Sequence, residues 1–356
     1  MALKDVIGQE QAVGTLQGCV AKNRIPHALL FAGDEGVGKR LTAVNFAKTL
    51  NCNPSHPPLT KGGTRGGDLF LPADSNPQPP TPNPLIDSCD QCPSCIKIDK
   101  AGHPDVFFLE PQGDGDQIRV DAIRELEEAL SYKPFEGNYK IAVIDNAEKM
   151  NQATANAFLD TLESPPSQSI IILVSSRPDM LLPTIRSRCR RISFTPLPVD
   201  TMSGLLKEKS KKLGNEQALL LSELSGGRLG YALNENLLKQ RDTSFNILKR
   251  LLDGFEEEGL KDGQTIEEWF EWAQVWLRDT AVLKATGRSD LLINKDREGE
   301  IKALSEGAAL KDILKLAREL YNIRGYLKFN LNEKLTLNYT SLLMRKRLGK
   351  QDVGKR

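Results

Sequence analysis

The chain has 356 residues, 39% of them hydrophobic and 27% charged, with a formal net charge of +1. That length points to two or three domains rather than one core, and the composition is that of an ordinary globular protein. No apolar run approaches the roughly 18 residues of a membrane span, the opening MALKDVIGQE does not read as a signal peptide, and near-neutral charge confines any DNA-facing surface to a local patch.

In chain order, Val6-Ile7-Gly8-Gln9 precedes an amphipathic helix that runs to about Ala21. A buried strand, Ala28 to Ala32, leads into Gly33-Asp34-Glu35-Gly36-Val37-Gly38-Lys39, and a helix from Leu41 to Leu50 follows. Strand, glycine-rich loop and helix together make a P-loop. The glycines let backbone N–H groups turn toward phosphate, the helix N-terminus favours anions, and Lys39 adds a point charge. The alternative is a vestigial loop that keeps this shape without nucleotide. Arg40 stands where a serine or threonine would offer its hydroxyl to Mg2+.

Six cysteines follow the same order: Cys19, Cys52, Cys89, Cys92, Cys95 and Cys189. Cys89, Cys92 and Cys95 are spaced by two residues each, and Cys52 is a plausible fourth thiolate after the P-loop helix. Four sulfurs around one ion are the closed arrangement of structural Zn2+. Free reduced thiols, or a ligand set using His56 or His103, are the alternatives. Between Cys52 and Cys89 the chain is rich in proline and glycine and reads as a flexible insertion within 52–95. Nothing suggests export, so disulfides are disfavoured and a cytoplasmic location is expected. Cys19 and Cys189 read as buried thiols.

Apolar runs at 106–110, 140–144 and 170–174 join the strand at 28–32 in an expected parallel sheet with helical crossovers. One crossover is a helix from Val120 to Tyr132 with Ile123, Leu126 and Leu130 on its apolar face. Asp145 closes the strand at 140–144. A helix over Asn151 to Glu163 follows and is stopped by Pro165-Pro166. Ser175-Ser176 ends the next strand, and a proline-bearing turn leads to Ser187-Arg188-Cys189. Past a stiff linker at Thr195 to Pro198 the strand signal stops. Helices are expected over Asp200 to Leu213 and Glu216 to Leu224, then Gly226-Gly227-Arg228, then polar-faced helices from about Arg241. Trp269, Trp272 and Trp276 share one helical stripe, which suits a core or a partner-helix surface. The basic tail RKRLGKQDVGKR reads as a solvated end.

The acid at Asp145, the run Asn156 to Pro166 and Ser187-Arg188-Cys189 resemble the AAA+ clamp-loader ATPases, and the resemblance extends over nearly the whole chain. It implies an α/β P-loop NTPase domain with a parallel sheet over 1–195, a helical lid over 196–240 and an all-α C-terminal collar over 241–356. It further implies nucleotide contacts at Val6, Ile7, Gly33, Gly36, Gly38, Lys39, Asp145, Ser175 and Arg228, with ATP and Mg2+ as cofactors. A zinc module on Cys52, Cys89, Cys92 and Cys95 is implied too. Arg188 would be an arginine finger, reaching the γ-phosphate held by a neighbouring subunit. The implied setting is a hetero-oligomer of clamp-loader subunits that places a sliding clamp on primed DNA, with no membrane involved.

Plainer alternatives stand beside three of these roles. Val6 and Ile7 would simply dock the N-terminus on the core, Arg228 would be a solvated arginine after a glycine turn, and Arg188 would make a local salt bridge. Two departures from the family pattern matter more. Arg40 removes the Mg2+ hydroxyl, and Asn146 replaces the glutamate that orients water in family motors; Glu148, two residues on, is expected to aim elsewhere. The expectation is a structural and regulatory subunit with absent or weak ATPase activity of its own. A motor subunit of the same loader and an independent P-loop ATPase remain as rivals.

Overall fold

The computed structural model of the chain describes residues 1–53, 87–112, 117–209, 213–233, 236–254, 265–329 and 331–348. The proline- and glycine-rich insertion at 54–86, His56 within it, and the tail beyond Leu348 lie outside the described residues. The chain divides into two compact units, 1–197 with 228–230, and 198–227 with 231–356.

The first unit is built on five strands: β1 (Ala28–Ala32), β2 (Val106–Leu109), β3 (Lys140–Ile144), β4 (Ser169–Ser175) and β5 (Arg190–Ser193). Their order is β2-β3-β4-β1-β5, and every neighbouring pair is parallel. β1, β3 and β4 are buried along their whole length, which is why they read as unbroken apolar runs. β5 was not expected. It lies at the sheet edge with only Ile192 buried, so its apolar signal is a single residue.

Alternation along the strands separates two cores. Leu29, Phe31, Ile141, Val143, Ile170 and Ile172 pack with residues of α1 (Glu10–Ala21) and α2 (Lys39–Asn51). On the other face Leu30, Ala142, Ile144, Ile171 and Leu173 meet α4 (Val120–Ser131), α5 (Gln152–Ala157), α6 (Leu159–Glu163) and α7 (Pro183–Arg188). The helix expected across Asn151 to Glu163 is two short ones, divided at the buried Phe158. α3 (Pro93–Asp99) packs against α2. The P-loop between β1 and α2, Asp145 after β3 and Ser175 at the end of β4 thus gather at the carboxyl edge of adjacent strands, where open α/β sheets bind ligands.

The second unit is helical. α8 (Val199–Lys209) packs on α9 (Asn215–Leu224), and the short α10 (Leu229–Ala232) that follows has its first two residues in the first unit. α11 (Leu237–Asp253), α12 (Ile266–Thr286), α13 (Glu298–Glu306), α14 (Leu310–Tyr326) and α15 (Glu333–Leu348) pack on one another. A Thr265–Glu268 capping box starts α12. Trp269, Trp272 and Trp276 are all buried, and the Trp276 ring lies 4.1 Å from that of Phe245 on α11. The tryptophan stripe is therefore core. Among the described residues no helix is long and apolar enough to cross a membrane.

Candidate functional site

The P-loop is shaped by close approach. A Cβ on Gly33 would sit 2.4 Å from the carbonyl oxygen of Phe194, so only glycine fits there. Gly38 caps α2 at φ +97°, a conformation that costs other residues free energy. A residue with no role assigned from sequence, Gln9, holds the loop from behind. Its buried side chain donates to Thr195 O (2.7 Å) and Val37 O (3.3 Å) and accepts from Thr195 N (3.2 Å). The signal was an amide directly before the apolar face of α1. Val6 is buried in the core beside this staple, whereas Ile7 is exposed. From the other side Gly230 N donates to Gly36 O at 2.9 Å, so the segment 228–230, which carries Arg228, lies against the loop.

Charge is concentrated at the mouth of the loop. The buried Lys39 donates from Nζ to Gly33 O (2.7 Å) and Asp34 O (2.5 Å). Burial lowers its pKa, against the pull of Glu148, Asp145, Glu35 and Asp34. Arg40 pairs with Glu110, just past β2, and stands 3.7 Å from Asp145. Burial raises the pKa of Asp145, partly opposed by the Asn146 N–H and by Arg40. Asn146 is exposed and left-handed (φ +47°), a conformation that Asn tolerates, so its identity serves the turn.

Glu148, two residues past Asn146, is engaged at the end of β4. A one-turn 3₁₀ helix at Ala147–Lys149 swings it back to the end of β4. There Oε1 accepts from Ser176 Oγ (2.6 Å), Ser176 N (3.1 Å) and Arg177 N (3.3 Å). Burial would raise its pKa, but the Ser176 hydroxyl and neighbouring donors hold it below the ordinary value. Glu148 is also the largest carboxylate influence on Lys39, and its Oε2 is buried without a protein partner. Ser175, also buried, accepts from Arg177 N at 3.2 Å.

Arg188 is not part of this group. It ends α7, donates from Nη1 to Thr184 O (2.9 Å) and pairs through Nη2 with Glu163 at the end of α6. Its side chain keeps 33% of its surface exposed.

The four cysteines meet although 36 residues separate Cys52 from Cys89. Their sulfurs all lie within 4.8 Å of one another. Thiolates at about 2.3 Å from one tetrahedral zinc stand about 3.8 Å apart, so the cluster fits such an ion. Backbone N–H groups point at the sulfurs: Cys89 N to Cys52 (3.3 Å), Cys92 N to Cys89 (3.3 Å) and Cys95 N to Cys92 (3.5 Å). Burial pushes the Cys52 thiol up to about 11. At Cys89 burial acts the same way, but the N–H groups of Gln91 and Cys92 reverse it and bring the thiol down to about 7. His103 is no ligand: Nδ1 accepts from Asp105 N (3.1 Å) and Nε2 lies 2.9 Å from Ser94 Oγ. Buried Lys48 ties the module to α2, pairing with Asp90 (2.7 Å) and Asp99 (3.0 Å).

Residues 8–63 and 80–198 match a family model described as "DNA polymerase III, delta subunit". The chain is similar to the DNA polymerase III subunit gamma/tau of Mycobacterium tuberculosis, 33% identical over 204 residues, 57% of this chain and 30% of that protein. It is 32% identical over 228 residues to the delta' subunit of Pseudomonas aeruginosa, covering 63% of this chain and 60% of that one. The gamma subunit of Buchnera aphidicola is 26% identical over 366 aligned positions, 94% of this chain and 92% of that one. The match thus spans about a third of the gamma/tau relative and three fifths of the delta' relative.

Proposed function

Because the chain belongs to the AAA+ clamp-loader family of bacterial DNA polymerase III subunits, we propose that it acts as the delta-prime subunit of a clamp loader. In this reading it assembles with gamma/tau and delta subunits and helps place the sliding clamp on primed DNA. Its neighbours hydrolyse ATP, and it supplies Arg188 to one of them. The helices at 199–224 serve as lid and those from Leu237 as collar. Cys52, Cys89, Cys92 and Cys95 hold Zn2+, which supplies a fixed cross-link between the end of α2 and α3.

The observation that carries the reading is the state of the P-loop. The position of the metal-binding hydroxyl is taken by Arg40, whose guanidinium lies between Glu110 and Asp145. The position of the water-orienting carboxylate is Asn146, exposed on a turn. Glu148 is near Lys39 but is occupied by three donors from the end of β4. An amide cannot accept the proton of attacking water, and loss of a positioned base costs about 10²–10⁴ in rate.

The purified chain alone should therefore turn over ATP at least about a hundredfold more slowly than a working loader ATPase. When mixed with gamma/tau and delta subunits it should co-elute with them in one complex. A second reading, a gamma-type motor subunit, draws on the gamma and gamma/tau relatives that match this chain. Robust steady-state hydrolysis by the unmodified chain would favour that reading and refute the first.

A further inference from the structure

Mg2+ is the ion a P-loop implies, and the residues here do not fit it. At such a site a hydroxyl on the first turn of the helix and the acid ending the neighbouring strand hold the metal. Here the first position is Arg40, and its guanidinium already stands 3.7 Å from the second, Asp145, while pairing with Glu110 as well. A divalent ion would have to sit against a fixed positive charge and take both carboxylates from it.

We propose that Arg40 is a tethered cation in the place of Mg2+, so that this loop takes nucleotide polyphosphate as the metal-free anion. The guanidinium is planar, always charged and rich in N–H donors, and it pairs with phosphate oxygens as readily as with carboxylates. It is anchored on α2 next to Lys39, and the two cations have Asp145 as a common neighbour: its carboxylate stands 3.7 Å from the guanidinium and also acts on the Lys39 ammonium. Glu110 and Asp145 offset part of its charge, and Lys39 must leave the carbonyls of Gly33 and Asp34 to reach a phosphate. Both effects make the site weak compared with a metal-assisted one. The inference rests on the loop being the phosphate site that its glycines and Lys39 imply, but not on which loader subunit the chain is.

Isothermal titration of the full chain with ATP, once in excess MgCl2 and once in EDTA, tests it. The expected result is a Kd that differs by less than about tenfold between the two buffers. Arg40→Thr, which restores the hydroxyl and removes the charge, should bind at least about tenfold more tightly with Mg2+ than in EDTA. Arg40→Lys, keeping a cation, should remain metal-independent and serves as the check that the loop tolerates substitution. Unmodified protein that binds ATP tenfold or more tightly with Mg2+, or that shows no saturable binding in either buffer, would overturn the proposal. Failure to assemble with loader subunits, with equal ATP binding in both buffers, would count against the delta-prime assignment alone.

Discussion

An Arg188→Ala chain assembled with wild-type ATPase partners should leave their ATP binding intact and lower clamp-dependent hydrolysis by on the order of 10³–10⁵. The guanidinium of an arginine finger neutralises charge that develops on the transferred phosphoryl group, so its loss acts on the rate rather than on affinity. In the isolated chain Arg188 is held by Glu163 and by Thr184 O, on the surface of α6 and α7. That pair is partly exposed, and exposed ion pairs contribute about 0–1 kcal/mol. If pairing with Glu163 were its whole role, Arg188→Ala would move the melting temperature slightly and leave loading untouched. Glu163→Gln separates the two accounts, because it breaks the same pair yet should preserve hydrolysis by the assembled loader. Arg188→Lys should rescue little, since an ammonium cannot reproduce the planar fork. Unchanged loading kinetics in a fully assembled Arg188→Ala complex would end the in-trans assignment.

The zinc proposed for the cysteine cluster carries the second large expected effect, that of metal removal. Structural zinc sites contribute about 10–16 kcal/mol of apparent binding free energy at neutral pH. Freshly prepared, unchelated protein should contain about one zinc per chain, and serine at Cys52, Cys89, Cys92 or Cys95 should release it. The ion's free energy acts on the module around α3 and on its junction with α2, where Lys48 meets Asp90 and Asp99. The sheet has its own two cores, so its circular dichroism should survive chelation. Because the ligands must be thiolates, affinity should rise with pH. Burial holds the Cys52 thiol above its ordinary range, so binding near neutral pH must expel its proton. Protein that carries no metal by elemental analysis would refute the site.

The sequence alone was enough for the features that depend on local pattern. The strands at 28–32, 140–144 and 170–174 announced themselves as apolar runs, because burial on both faces leaves no polar alternation. The P-loop was legible because its glycines and lysine are contiguous, and so were the two departures from the family pattern, Arg40 and Asn146. The spacing of Cys89, Cys92 and Cys95 was equally plain, and Cys52 does join them across the insertion.

What the tertiary structure decided is which distant groups these residues meet. Glu110 lies seventy positions from Arg40, and only the strand order β2-β3-β4-β1 sets it in reach of the guanidinium. Glu148 turns back to Ser176 because the left-handed Asn146 opens a 3₁₀ turn, a conformation that residue type permits but does not require. Gln9 finds Thr195 across 186 residues, and β5 pairs with β1 although only Ile192 among its side chains is buried. The tryptophan stripe on α12 had two possible partners, and the packing of α11 against it made it core. Periodicity and turn chemistry are properties of neighbouring residues and survive in one dimension. Charge partners, staples and edge strands depend on contacts between residues far apart in sequence, and those exist only once the sheet has been assembled.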